Sequence, residues 1–145
     1  MKRPALTAAV RSKLEKAARK AAKAAYAPYS GLRVGSAVLA KSGRIFSGCN
    51  VENSSYGMCV CAERAAIVAT VSAGERSLQA VAIYTPTAVP TPPCGACRQV
   101  IGEFGPDALI ISVCDSKKRI EAGISTLLPE RFGPKHHSRQ TKSRG

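Results

Sequence analysis

The 145-residue chain is 45% hydrophobic, enough to bury one core and too short for two ordinary domains. No apolar run approaches the ~20 residues of a membrane span, and the basic N-terminal stretch is not followed by an apolar segment with a cleavage site, so a cytoplasmic protein is expected. The net charge of +13 is uneven: residues 1–25 carry eight Lys/Arg against one acid, residues 131–145 carry five against none, and the stretch between is nearly neutral. Basicity placed at the two ends reads as solvated faces, which disfavours nucleic acid as the main partner. Six cysteines in a chain with an ample core and no signal peptide read as reduced thiols and not as a disulfide framework.

In chain order, residues 5–26 are rich in Ala, Lys and Arg, with Leu6, Val10, Leu14, Ala17 and Ala21 at helical spacing, which predicts an amphipathic helix. Val34 to Ala40, a turn at Ser42-Gly43 and Arg44 to Cys49 predict a strand hairpin. Cys61 to Ala73 has helical character ended by Gly74. Leu78 to Thr85 reads as a buried strand, followed by a loop rich in Pro and Thr from Pro86 to Pro93. Cys94 to Phe104 is the next helix, closed by Gly105-Pro106, and Ala108 to Cys114 is a further buried strand. Asp115 to Arg119 reads as a polar turn and Ile124 to Leu128 as a short helix. The order predicts an α/β domain over 1–132, a mixed β-sheet with helices on its faces. Residues 133–145 lose all hydrophobic period and are expected to form a basic, mobile tail.

Two short segments carry the chemistry: Cys61-Ala62-Glu63 and Pro93-Cys94-Gly95-Ala96-Cys97, each opening a predicted helix. Exposed backbone N–H groups and the positive end of the helix dipole stabilise thiolates there and suit them to a metal. Three sulfurs converging on zinc leave a fourth position for water, whereas a fourth sulfur closes the site. Cys59 keeps that closed alternative open, since Cys59, Cys61, Cys94 and Cys97 together make a four-sulfur set. Glu63, two residues beyond Cys61, is placed within the first helical turn to reach a water at the metal. Cys49 and Cys114 read as small buried hydrophobes.

At these residues the sequence resembles the cytidine deaminase family, in its short form with three zinc cysteines. The matching stretches are Pro28-Tyr29-Ser30 with Val34-Gly35, Gly48 to Asn53, Ser55-Tyr56-Gly57, Cys61 to Arg64, Pro93 to Gln99 and Leu127-Leu128-Pro129. The resemblance implies the three-layer α/β/α deaminase fold, one Zn2+ per chain and a homotetramer. It also implies hydrolytic deamination of cytidine and deoxycytidine, free nucleosides, in pyrimidine salvage, while the charge distribution disfavours nucleic acid and the lack of an apolar span excludes a membrane partner. Cys61, Cys94 and Cys97 are then the metal ligands, Glu63 the base and later the acid, and Arg64 the cation that withdraws charge from the thiolates. Asn50 and Glu52, on one face because they flank Val51, match the positions that hold the ribose hydroxyl. The amide of Ala62 matches the group that bonds the base carbonyl, and Tyr56 and Phe132 match aromatics brought to the pocket from neighbouring chains. Leu32 stands where many members carry phenylalanine and Arg33 where they often carry proline. The Asn50-Val51-Glu52 set favours a nucleoside over blasticidin-like cytosine compounds.

Overall fold

The computed structural model describes residues 5–137. The first helix, α1 (Ala8–Ala22), is shorter at both ends than the periodicity predicts. Thr7 caps it by accepting from the Val10 amide at 3.2 Å, and beyond Ala22 the chain turns so that the Tyr26 amide donates to the Asn50 carbonyl at 3.0 Å and its carbonyl accepts from the Glu52 amide at 2.8 Å. The antiparallel hairpin follows as β1 (Gly35–Ala40) and β2 (Ile45–Cys49), then α2 (Ala62–Ser72), β3 (Leu78–Tyr84), α3 (Gly95–Phe104) and β4 (Leu109–Val113). The strand β5 (Arg119–Gly123) and the single-turn α4 (Ile124–Leu127) complete the main elements.

The sheet order is β2-β1-β3-β4-β5. Strand β1 is antiparallel to both neighbours, β3 and β4 are parallel, and β5 is antiparallel to β4. It follows that β2, β3 and β4 all point the same way. Alternation divides the core between two faces. Val38, Val81 and Ile110, in register across β1, β3 and β4, pack with Ala66, Ile67 and Ile101 of α2 and α3. Their neighbours Ala37, Ala82 and Ile111 pack with Leu14 and Ala18 of α1 on the other side. This is the three-layer arrangement expected, with a mixed sheet between α1 and the α2/α3 layer.

Two glycines set how closely the helices approach. A Cβ at Gly35 would lie 1.9 Å from the Ala18 carbonyl oxygen, and one at Gly48 would lie 2.5 Å from the Ala66 amide nitrogen. Each helix therefore rests on strand backbone with only alanine between them, and a larger side chain at either glycine would lift it off. The stretch read as a polar turn ends in β5, because Arg119 and Glu121 alternate with half-buried Ile120 and Ala122 along the sheet edge. Glu121 pairs with Arg11 and Arg119 pairs with Glu15, so α1 covers that edge with charge. Cys114 is buried as expected, just beyond β4, while Cys49 is only half-buried at the end of β2. No helix among the described residues is long and apolar enough to cross a membrane. Of the predicted tail, residues 138–145 lie outside the described residues, and Pro134–His136 form a 3-10 turn.

Candidate metal and substrate site

Cys61 and Cys94 are the N-caps of α2 and α3, and Cys97 lies in the first turn of α3. Their three sulfurs fall within 4.8 Å of one another, with Cys61 and Cys94 3.8 Å apart. Sulfurs held about 2.3 Å from a tetrahedral zinc lie about 3.8 Å from each other, so the cluster fits one zinc ion as folded. The Cys59 sulfur is turned away. It accepts from the Asn53 amide at 3.4 Å and faces the Asn53 carbonyl oxygen at 3.7 Å, leaving a three-sulfur set with an open fourth side.

The electrostatics of the cluster explain how it gathers negative charge. The Cys97 thiol donates toward Cys61, and Arg64 adds a donor and a positive charge, lowering the Cys61 thiol from 9.0 to about 5. Cys97, as that donor and in a buried place, is pushed up. Arg64 Nη2 lies 3.4 Å from the Cys61 sulfur and 3.4 Å from the Cys59 carbonyl oxygen. Its Nε is buried without a partner, a spare donor beside the sulfurs. Glu63 is 5% exposed, and its carboxyl is raised above the ordinary range by burial first and by the Cys61 charge second.

Glu63, Ala62, Cys61 and Cys94 line a cavity of about 220 Å³. Asn50, Glu52, Ser30, Leu32 and Val34 line the same cavity, with Ile83, Thr91 and Pro92 completing it. The Asn50 amide is committed to loop backbone, its Oδ1 accepting from Val34 N at 2.8 Å and its Nδ2 donating to the Leu32 carbonyl at 2.8 Å. One Nδ2 hydrogen and one oxygen lone pair remain for a ligand. Glu52 Oε1 accepts from the amides of Tyr29 and Ser30 at 2.9 and 3.1 Å. The Ser30 hydroxyl and amide, followed by the Tyr29 amide, hold Glu52 below the ordinary carboxylate range. No role for Ser30 follows from spacing; its position after Pro28-Tyr29 in a matching stretch is the one signal for it. Leu32 lines the cavity while Arg33 points away, donating to the Lys23 carbonyl at 3.0 Å.

Tyr56 and Phe132 are not brought to this cavity within the chain. Tyr56 is 73% exposed and meets the edge of Tyr29, and Phe132 is 58% exposed and stacks on His136.

A mixed sheet flanked by helices, with a buried glutamate and three cysteines at two helix starts, defines the class of zinc-dependent base deaminases. The family model "Cytidine and deoxycytidylate deaminase zinc-binding region" matches residues 9–113, and the chain belongs to this family. It is 46% identical over 121 residues to a cytidine deaminase of Sporosarcina psychrophila, covering 83% of this chain and 89% of the relative. It is 43% identical over 123 residues to one from Halalkalibacterium halodurans, covering 84% and 93%. The crystal structure of cytidine deaminase from Burkholderia pseudomallei superposes with a TM-score of 0.81 at 41% identity, over 88% of this chain and all of that one.

Proposed function

We propose that this chain hydrolyses cytidine and deoxycytidine to their uracil nucleosides, with Glu63 carrying the protons. The reading rests on one observation above the others: a buried carboxylate with a raised pKa, next to a three-sulfur cluster, lines the same cavity as Glu52. A zinc ion held by Cys61, Cys94 and Cys97 supplies a Lewis acid that makes water a nucleophile near neutral pH. Glu63 takes a proton from the attacking water and delivers it to ring nitrogen 3. A second proton passes through the same carboxylate to the amine, which leaves as ammonia, so water is consumed and the carboxylate is regenerated.

The remaining residues orient the nucleoside. The Ala62 amide, in the first turn of α2, has no carbonyl partner within the helix, and Ala62 lines the cavity, so this donor suits the base carbonyl. Glu52 has one oxygen fixed by two amides, which leaves the other to accept from a sugar hydroxyl. Asn50 supports the same hydroxyl with its remaining donor and acceptor. Arg64 balances the excess charge of three thiolates around a divalent ion.

The assembly proposed is a homotetramer with shared pockets. Tyr26, Val51, Tyr56, Met58 and Val60 leave a large apolar surface exposed beside the cavity, and a second copy covering it would bring aromatic side chains to the site. A reducing cytoplasm suits the six thiols, none of which is paired. The decisive test is a uracil-product assay on cytidine with Glu63→Ala as the control. Formation of uridine only by the wild type is expected, and a wild type preferring cytosine in an oligonucleotide over the nucleoside would overturn the substrate class.

A further inference from the structure

We infer that α3 is a strut joining the metal cluster to Phe132, and that Arg98, Gln99 and Gly102 are positioning residues for that ring. The first turn of α3 carries Cys97 and is capped by Cys94. The same helix grips residues 127–133 at three points. Arg98 donates from Nε to the Pro93 carbonyl at 2.8 Å and from Nη1 to the Leu127 carbonyl at 2.9 Å. The first of these carbonyls belongs to the peptide that leads into Cys94, and the second is the carbonyl of the last residue of α4. Gln99 Nε2 donates to the Phe132 carbonyl at 3.0 Å. Gly102 lets the Arg131 side chain lie flat across the helix, since a Cβ there would stand 2.2 Å from Arg131 Cδ.

These contacts fix the backbone of residues 127–132 leading to a ring that stacks on His136, meets His137 and remains 58% exposed. Ordering a residue costs backbone entropy, and an exposed phenylalanine recovers little of it by burial. Polar clamps spent on such a residue hold it in place for a surface outside its own fold. Because Arg98 bridges the ligand loop and the clamped segment, the shape of the first turn of α3 is transmitted to the ring. This inference rests on the proposed function only in what Phe132 is for, namely closing a pocket over the base.

The chain has no tryptophan, so Phe132→Trp provides a single indole reporter. In that background Gln99→Leu is expected to raise acrylamide quenching of the indole about twofold, whereas Gln99→Lys, which keeps a donor, leaves it unchanged. In the Phe132 protein, Gln99→Leu should raise KM for cytidine about three- to tenfold, the scale of a lost aromatic contact. Zinc should stay at one per chain and kcat within twofold. Gly102→Ala, which displaces Arg131, should reproduce both effects if Gln99→Leu does not fold. Unchanged quenching and KM would overturn the inference, as would a fall in kcat accompanied by zinc loss. The quenching arm needs no catalysis, so absence of deamination in the wild type would instead count against the proposed function.

Discussion

Replacing Glu63 by Gln separates two consequences of burying a carboxylate beside three sulfurs. Glu63 is 5% exposed, and burial, with the Cys61 charge adding to it, raises its pKa above the ordinary 4.5. In the zinc-free protein, the unfolded chain loses this proton from about pH 4.5 upward, whereas the folded chain keeps it to higher pH. The folded state then binds more protons, and its stability falls as pH rises through that window. Below about pH 4.5 the group is protonated in both states and the cost vanishes. Gln has the same shape and never ionises. Leaving a buried charged group uncompensated costs at least about 1 kcal/mol, or about 2–4 °C in Tm for a chain of this length. Zinc-free Glu63→Gln is therefore expected to melt higher by at least that much at pH 8, and at the wild-type temperature at pH 4. Activity moves the opposite way, with kcat falling about 10²–10⁴-fold once the proton carrier is gone. Calorimetry across pH and the uracil-product assay check the two arms. Equal melting at pH 8, or a kcat within tenfold of wild type, would refute a buried, proton-carrying Glu63.

Single Ala substitutions at Cys61, Cys94 and Cys97 should each abolish zinc binding, while Cys59→Ala keeps one zinc per chain by atomic absorption; equal loss at Cys59 would restore the four-sulfur site. Arg64→Gln removes a cation 3.4 Å from the Cys61 sulfur. With about 1.5 kcal/mol for a charge-assisted bond, kcat should fall about tenfold and the acidic limb of the rate profile should move to higher pH, with zinc retained. Glu52→Gln should keep part of the cytidine activity and lose part of the discrimination against cytidine 3′-monophosphate, because like charge no longer meets the phosphate. Mixing Phe132→Ala chains with Glu63→Ala chains should restore activity if pockets are shared, and verified mixed tetramers with no rescue would contradict that sharing.

The parts of this fold legible in the sequence are those with strong local signals. Buried strands such as Leu78 to Tyr84 are runs of apolar residues bounded by Gly and Pro, and α2 and α3 begin at their cysteine caps within a residue of expectation. Strand β5 escaped because Arg119 and Glu121 are polar for a reason outside the strand: each answers a charge on α1. The first helix is shorter than its composition suggests because Ala-Lys-Arg sequence favours helix everywhere, while Tyr26 pairs instead with the backbone of Asn50 and Glu52. At the site, the clustering of Cys61, Cys94 and Cys97 with a glutamate in the first turn of α2 was legible from spacing. The commitment of Asn50 to the backbone of residues 32–34 was not, since it depends on how a loop folds over the end of β2. The exposure of Tyr56 and Phe132 is equally invisible to composition and spacing, which record that they are aromatic and not how far the fold buries them.

Two cysteine segments some thirty residues apart meet for a topological reason. Strands β2, β3 and β4 are parallel to one another, with β1 inserted antiparallel between β2 and β3. The path from β2 through α2 to β3 and the path from β3 through α3 to β4 are therefore both parallel crossovers, which return the chain by a helix. Each such helix must start at the carboxyl edge of the strand before it. Both N-termini, with their unsatisfied amides, consequently open at the same edge of the sheet, and Cys61 and Cys94 come within 3.8 Å. Asn50 and Glu52 emerge at that edge because they follow β2 directly. The Cys94 arm depends on the parallel pairing of β3 with β4, and the Cys61 arm on the hairpin that reverses β2. A change that weakened either pairing would separate the sulfurs without touching a ligand, so the metal site and the sheet order stand or fall together.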